Sequence, residues 1–186
     1  MITFRPATPD DASFIARHVL EALHWGMYEL PLTEEKVRAW EELTEVCRLP
    51  ETLYSAENAT LALVDGEPAG LLVAYDGGRY REFRANTFPR LSAFADKDVD
   101  TMPDESQEGE YYIDSLAVAP QHRGKGLGRS LLLEAVKQAQ IAGLRATLLV
   151  DPDNPPALRL YSSVGFKDEG QLWAFGQWYR KLEIRF

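Results

Sequence analysis

One cysteine, three histidines and no long apolar run set the first limits on this 186-residue chain. Cys47 has no partner within the chain, so an internal disulfide is excluded and a reducing, cytoplasmic setting is the simplest expectation. Its surroundings, Glu41 to Pro50, have the pattern of an ordinary helix end, which makes Cys47 a poor nucleophile candidate. His18, His24 and His122 do not fall at metal-ligand spacings, so no metal site is expected. No uncharged apolar stretch of about 18 residues is present, so no membrane span is expected. Arg5, Asp10, Asp11 and Arg17 leave no room near the N-terminus for the apolar core of a secretory signal. No linker, repeat or low-complexity segment divides the chain, and its length suits one domain, residues 1–186, with a full core. Positive charge is scarce too. The formal net charge of −9 argues against nucleic acid or an anionic membrane surface as a partner.

The acidity is uneven. Residues 96–110 hold seven acids against Lys97 alone, whereas residues 121–129 carry Arg123, Lys125, Arg129 and His122 and no acid. The acidic stretch belongs to a long insertion at about 76–109, irregular except for a helix within Arg79 to Phe94. Residues Asp96 to Gly109 read as a mobile loop, and loops of this length are functional or disordered. Such a segment suits either a cationic amine ligand or a solvated acidic surface.

What is abundant is glycine in one place. Gly124, Gly126 and Gly128 alternate between an apolar segment, Tyr111 to Pro120, and an amphipathic one, Leu127 to Ala142. A glycine-rich loop that leaves a strand and opens a helix presents free N–H groups at the positive end of a helix dipole, and such a site binds an anion. The neighbouring basic side chains suit a diphosphate. Two common diphosphate loops are absent: no Gly-x-x-x-x-Gly-Lys-Ser/Thr occurs, and the spacing is Gly-x-Gly-x-Gly rather than Gly-x-Gly-x-x-Gly.

The remaining chain reads as a mixed α/β protein. A short strand at residues 2–6 precedes a helix that starts near Thr8 or Pro9 with an apolar stripe of Phe14, Ile15, Val19, Leu20 and Leu23. Glu34 to Val46 is a second helix, and Thr60 to Val64 with Pro68 to Tyr75 is a hairpin turning at Asp65-Gly66. After the strand Tyr111 to Val118 come the helix Leu127 to Ala142, ended by Gly143, a buried strand within residues 145–151 and a helix from Pro156 to Val164. Leu172 to Phe175 and Trp178 to Ile184 close the chain as a hairpin.

Gln121, Gly124 and Gly126 resemble the Gln/Arg-x-x-Gly-x-Gly/Ala motif of the GCN5-related N-acetyltransferase (GNAT) superfamily. Asn154, Ala157, Tyr161 and Gly165-Phe166 resemble that family's second acetyl-CoA element, in the right order about thirty residues later. Ile2 to Ala12 is similar to its first strand and helix start. The resemblance covers roughly residues 1–20 and 60–180 and is sharpest from 110 to 166. It implies a three-layer α/β/α sandwich around a mixed, mostly antiparallel sheet. It also implies acetyl-CoA as co-substrate, without a metal, for transfer to an amine acceptor by a monomer or homodimer.

By the same resemblance, residues 121–129 (Gln121, His122, Arg123, Gly124, Lys125, Gly126, Leu127, Gly128 and Arg129) hold the diphosphate, with Asn154, Ala157 and Tyr161 beside the cofactor. Backbone N–H groups of Leu116 and Val118, with Ala117 between them, would meet the thioester carbonyl. Tyr161 takes the position of the acid that protonates the departing thiolate. The first two helices and residues 79–109 would shape the acceptor side, bringing in His24, Trp25, Tyr28 and Trp40.

Amine attack also needs a base, because an alkyl ammonium has a pKa of roughly 10 and only the neutral amine is a nucleophile. Glu110, Tyr112, Asp114, Leu116 and Val118 share one strand face by period-two alternation unless a bulge intervenes. Glu110 is the preferred base on sequence grounds and Asp114 the second candidate. Asp114 lies within an apolar run, which also suits a buried structural carboxyl. A non-catalytic acyl-CoA-binding module on the same fold is the alternative reading.

Overall fold

The computed structural model describes all 186 residues. Seven strands, β1 (Ile2–Pro6), β2 (Ala59–Val64), β3 (Glu67–Asp76), β4 (Glu110–Val118), β5 (Arg145–Val150), β6 (Lys167–Ala174) and β7 (Gln177–Ile184), form one sheet in the order β1-β2-β3-β4-β5-β7-β6. Neighbours run antiparallel except β4 and β5, which are parallel. Helices α1 (Ala12–Ala22), α2 (Glu34–Arg48) and α3 (Tyr80–Thr87) pack on one face, and α4 (Leu127–Ala142) and α5 (Pro155–Val164) on the other. This is the expected three-layer sandwich.

Helical spacing explains both outer layers. In α1, Ala12, Ile15, Ala16, Val19 and Leu20 make one buried stripe; in α4, Leu127, Leu131, Leu132, Ala135 and Ala139 make another. Helix α4 ends where Gly143 takes φ 69°, a conformation open to glycine at little cost. None of the helices is long and apolar enough to cross a membrane. Cys47 is buried in the core under α1 and α2, where burial pushes its thiol pKa up and keeps it un-ionised.

Two departures from the expected layout shape the site. The first is a bulge. Val73 pairs with Ser115, but the next residue, Ala74, pairs with Ile113, so Asp114 is squeezed out of the ladder. Tyr112 therefore packs in the core under α1 and α2, while Leu116 and Val118 pack on the α4 side. The expected single face of five residues does not exist. The second concerns the acidic insertion. Its later half is fastened rather than loose: the buried Arg84 donates to Met102 O at 2.8 Å, Pro103 O at 3.2 Å and Asp104 Oδ1 at 3.2 Å. Glu105 and Ser106 are buried, and Lys181 reaches Glu105 O at 3.4 Å. This segment is a wall of the protein interior.

Candidate active site

The parallel pairing of β4 with β5 runs only from Glu110↔Arg145 to Ile113↔Leu148. Beyond it the two strands part, while β4 stays paired with β3 as far as Gly70↔Val118. Ala119 N–H donates to Ala69 O at 2.9 Å. Backbone groups alternate sides along a strand, so the N–H groups of Val118 and Leu116 face the opposite way, into the gap. Val118 C=O lies on that side as well and accepts Arg123 Nε at 2.9 Å. The gap thus exposes donors where an acyl oxygen can be held.

The glycine loop forms the mouth of this gap. Gly124 (φ 71°) and Gly126 (φ 82°) are left-handed, and a Cβ at either would meet nothing within 4 Å. Backbone conformation, not crowding, therefore demands glycine at both positions. Gly128 lies, as the helix Leu127 to Ala142 implied, in the first turn of α4, with Leu116 and Val118 side chains 3.8 Å from its Cβ position. Gly126 caps α4 without a side-chain acceptor, which leaves the N–H groups of Leu127, Gly128 and Arg129 open to an anion.

The basic side chains contribute less than their number suggests. Arg123 donates to Glu21 Oε1 at 2.8 Å, which ties the loop to α1. Burial alone would raise the Glu21 pKa, but Arg123 and the Met27 N–H hold it below the usual range. Lys125 Nζ folds back onto Gln121 O at 2.9 Å. Arg129 is exposed and His122 half-buried. The open donors at this end of α4 are therefore mainly backbone N–H groups.

Behind the gap lies a cavity of about 860 Å³ that joins the cofactor side to the interior. Leu116, Ala117, Val118, Asn154, Ala157 and Tyr161 are among its lining residues. Asn154 also caps α5, its Oδ1 accepting the Ala157 N–H at 3.2 Å. Tyr161 packs its ring edge-on against Phe166, centroids 6.0 Å apart, and burial pushes its pKa up, so its proton is retained. His24, Trp25, Tyr54, Glu105, Tyr112 and Asp114 line the same cavity. Tyr28 and Trp40 are not part of it: Tyr28 Oη lies 2.9 Å from His18 Nε2, and Trp40 Nε1 donates to Ser13 O at 2.8 Å.

The carboxylates divide sharply. Glu110, the preferred base on sequence grounds, is not a cavity residue. It is 1% exposed and held by Lys181 Nζ at 2.8 Å, Arg145 Nη2 at 3.0 Å and Thr147 Oγ1 at 3.2 Å. Both of its oxygens are occupied by these partners, so it is tied into an ion-pair network away from the cavity. It lies at the start of β4, on the far side of the bulge from Leu116 and Val118. Asp114, extruded by the bulge, does reach the cavity. It accepts Tyr75 Oη at 2.7 Å and Ser115 Oγ at 3.0 Å, and burial outweighs these bonds to push its pKa up to about 6.

Glu105 was missed as an individual residue; only the acid count of residues 96–110 hinted at it. Burial first and the Asp114 charge second push its pKa up to about 8. The buried Tyr80 hydroxyl lies beside it without completing a hydrogen bond. At neutral pH the two carboxyls together hold close to one negative charge.

A helix N-terminus without a side-chain cap, open strand donors and two buried carboxyls thus lie in one region of the molecule. The model of the acetyltransferase (GNAT) family matches residues 18–166, and the chain belongs to that family. A mycothiol acetyltransferase of Pseudarthrobacter chlorophenolicus is 38% identical over 103 residues, covering 54% of this chain and 28% of that protein. The mycothiol acetyltransferase of Thermobifida fusca is 32% identical over 121 residues, 62% of this chain and 33% of its own. The chain thus spans about a third or less of the length of these relatives. Among solved structures, one acetyltransferase superposes with a TM-score of 0.76 at 28% identity, covering 98% of both chains. The PaiA N-acetyltransferase of Thermoplasma acidophilum, in complex with coenzyme A, shares the fold (TM-score 0.62, 19% identity, 100% of this chain and 99% of that one).

Proposed function

We propose that this protein moves the acetyl group of acetyl-CoA to a primary amine by direct attack while both are bound. The observation that carries this reading is that Asp114, Tyr161 and the free edge of β4 line one cavity, while Gly128 in the first turn of α4 packs against Leu116 and Val118 of that same edge. In this reading the open N–H groups of Leu127, Gly128 and Arg129 hold the diphosphate of the acetyl donor. The N–H groups of Leu116 and Val118 stabilise the negative charge that grows on the thioester oxygen. Asp114, ionised above about pH 6, takes the proton from the attacking nitrogen, directly or through one water. The new C–N bond forms as the C–S bond breaks, and Tyr161 gives its proton to the sulfur. Proximity in the shared cavity supplies much of the rate, and no covalent enzyme intermediate is required.

The mycothiol acetyltransferases match over too little of their length to carry their acceptor over to this chain. The test is free-thiol release from acetyl-CoA with a panel of amines. Amine-dependent release that falls sharply in Asp114→Asn supports the reading; binding of acetyl-CoA with no release for any amine makes the protein an acyl-CoA-binding module instead.

A further inference from the structure

The charged groups that line the cavity are unbalanced. Glu21, Glu42, Glu105, Asp114 and Asp151 face it, and Arg123 is the single Lys or Arg. Three of these acids already have partners. Glu21 holds Arg123 at 2.8 Å, Glu42 accepts the Ser92 N–H at 2.9 Å, and Asp151 accepts the Asp153 N–H at 2.8 Å. Asp114 accepts two hydroxyls but meets no cation, and Glu105 remains. Glu105 is only 9% exposed yet forms no ion pair, since the nearby Arg84 is bonded to Asp104. Burial and the Asp114 charge keep Glu105 protonated while the cavity is empty, and an arriving ammonium favours its ionised form. The surrounding walls are aromatic: Trp25, Tyr54, Phe88, Phe94 and Phe175 contribute to the lining. Aromatic faces beside buried carboxyls attract an organic ammonium through both charge and the ring quadrupole. An acceptor carboxylate would meet two acids there and no free Lys or Arg.

We infer that the acceptor is a small primary amine with an apolar or aromatic body and no carboxylate, and that Glu105 selects its cationic head. This rests on the acetyl-transfer reading above. It divides amine acceptors into two classes: decarboxylated amines enter the cavity, and free amino acids are rejected.

Calorimetric titration of the full chain, saturated with coenzyme A, separates these classes. The probes are butylamine, phenethylamine and phenylalanine, the last being phenethylamine with a carboxylate added. Phenethylamine binds at least about 30-fold more tightly than phenylalanine, as expected when a like charge is forced into a closed site. Glu105→Gln weakens phenethylamine by about tenfold or more and leaves coenzyme A affinity unchanged. The wild-type comparison stands even if that variant folds poorly. Equal binding of phenylalanine, an unaltered phenethylamine affinity in a folded Glu105→Gln protein, or failure of both amines to bind overturns the inference. Thiol release is measured in parallel with acetyl-CoA. Amines that bind in the expected order but release no thiol leave the cation site standing and remove the transfer reading.

Discussion

At the scale of single residues, environment sets the role of each titratable group. Asp114 and Glu110 sit on the same strand, but one is pushed into a cavity and the other is clamped by Lys181 and Arg145. Asp114→Asn should lower kcat by about 10²- to 10³-fold and abolish the loss of rate that the wild type shows as pH falls through about 6. A pH profile of thiol release checks this. Glu110→Gln should behave in the opposite way. It leaves kcat near the wild-type value but strips charge from a buried network, at a cost of about 2–3 kcal/mol because Lys181 and Arg145 keep partial access to water. Thermal melting should show this as a drop of roughly 4–10 °C. A catalytic collapse in Glu110→Gln with unchanged melting would return the base to Glu110. Tyr161→Phe keeps the ring against Phe166 and removes one proton donor, so kcat should fall about 10- to 100-fold with little change in acetyl-CoA affinity. Turnover at the wild-type rate would reduce Tyr161 to a packing residue.

At the scale of elements, the bulge in β4 and the start of α4 carry the site. One extruded residue turns Asp114 to the interior, reverses the faces of Leu116 and Val118, and accompanies the parting of β4 from β5. The α4 N-terminus depends on Gly126 at φ 82°. Gly126→Ala places a side chain in the left-handed region and should cost about 1 kcal/mol of stability. It should also misalign the first-turn N–H groups and weaken coenzyme A binding, which calorimetry with coenzyme A would register. The glycine turn was legible from its spacing and the Asn154-to-Phe166 element from its resemblance to the family motif, and each depends on local conformation. Gly124 and Gly126 need positive φ, and Asn154 caps the helix that carries Tyr161. The assignment of Arg123 to the diphosphate was not reliable in the same way. Its side chain reaches Glu21, 102 positions away in sequence, and no local pattern announces that bond.

At the scale of the whole molecule, the buried acid pair couples function to stability. A carboxyl whose folded pKa exceeds its unfolded value binds more protons in the folded state. The stabilising contribution is complete at low pH and is lost as pH rises from about 4 through the folded values of about 6 and about 8. Glu105→Gln should therefore melt higher than wild type at pH 8.5, by about 2 °C or more, with a much smaller gain at pH 5. An equal gain at both values would show that ionisation of this pair does not load the fold.

The order of strands and helices, the helix stripes and the glycine turn that opens α4 were determined by the sequence itself. They follow from hydrophobic periodicity, turn chemistry and helix capping, which act over a few residues at a time. The cavity position of Asp114, the clamping of Glu110 and the true place of the acidic insertion were decided only by the tertiary structure. A bulge is a property of two paired strands, so Val73 and Ala74 decide where Asp114 points although they lie some forty positions away. Burial is likewise collective. Glu105 is one acid among seven in its segment until Arg84 draws that segment inward and the tyrosines close around it, and only then does its carboxyl differ chemically from its neighbours.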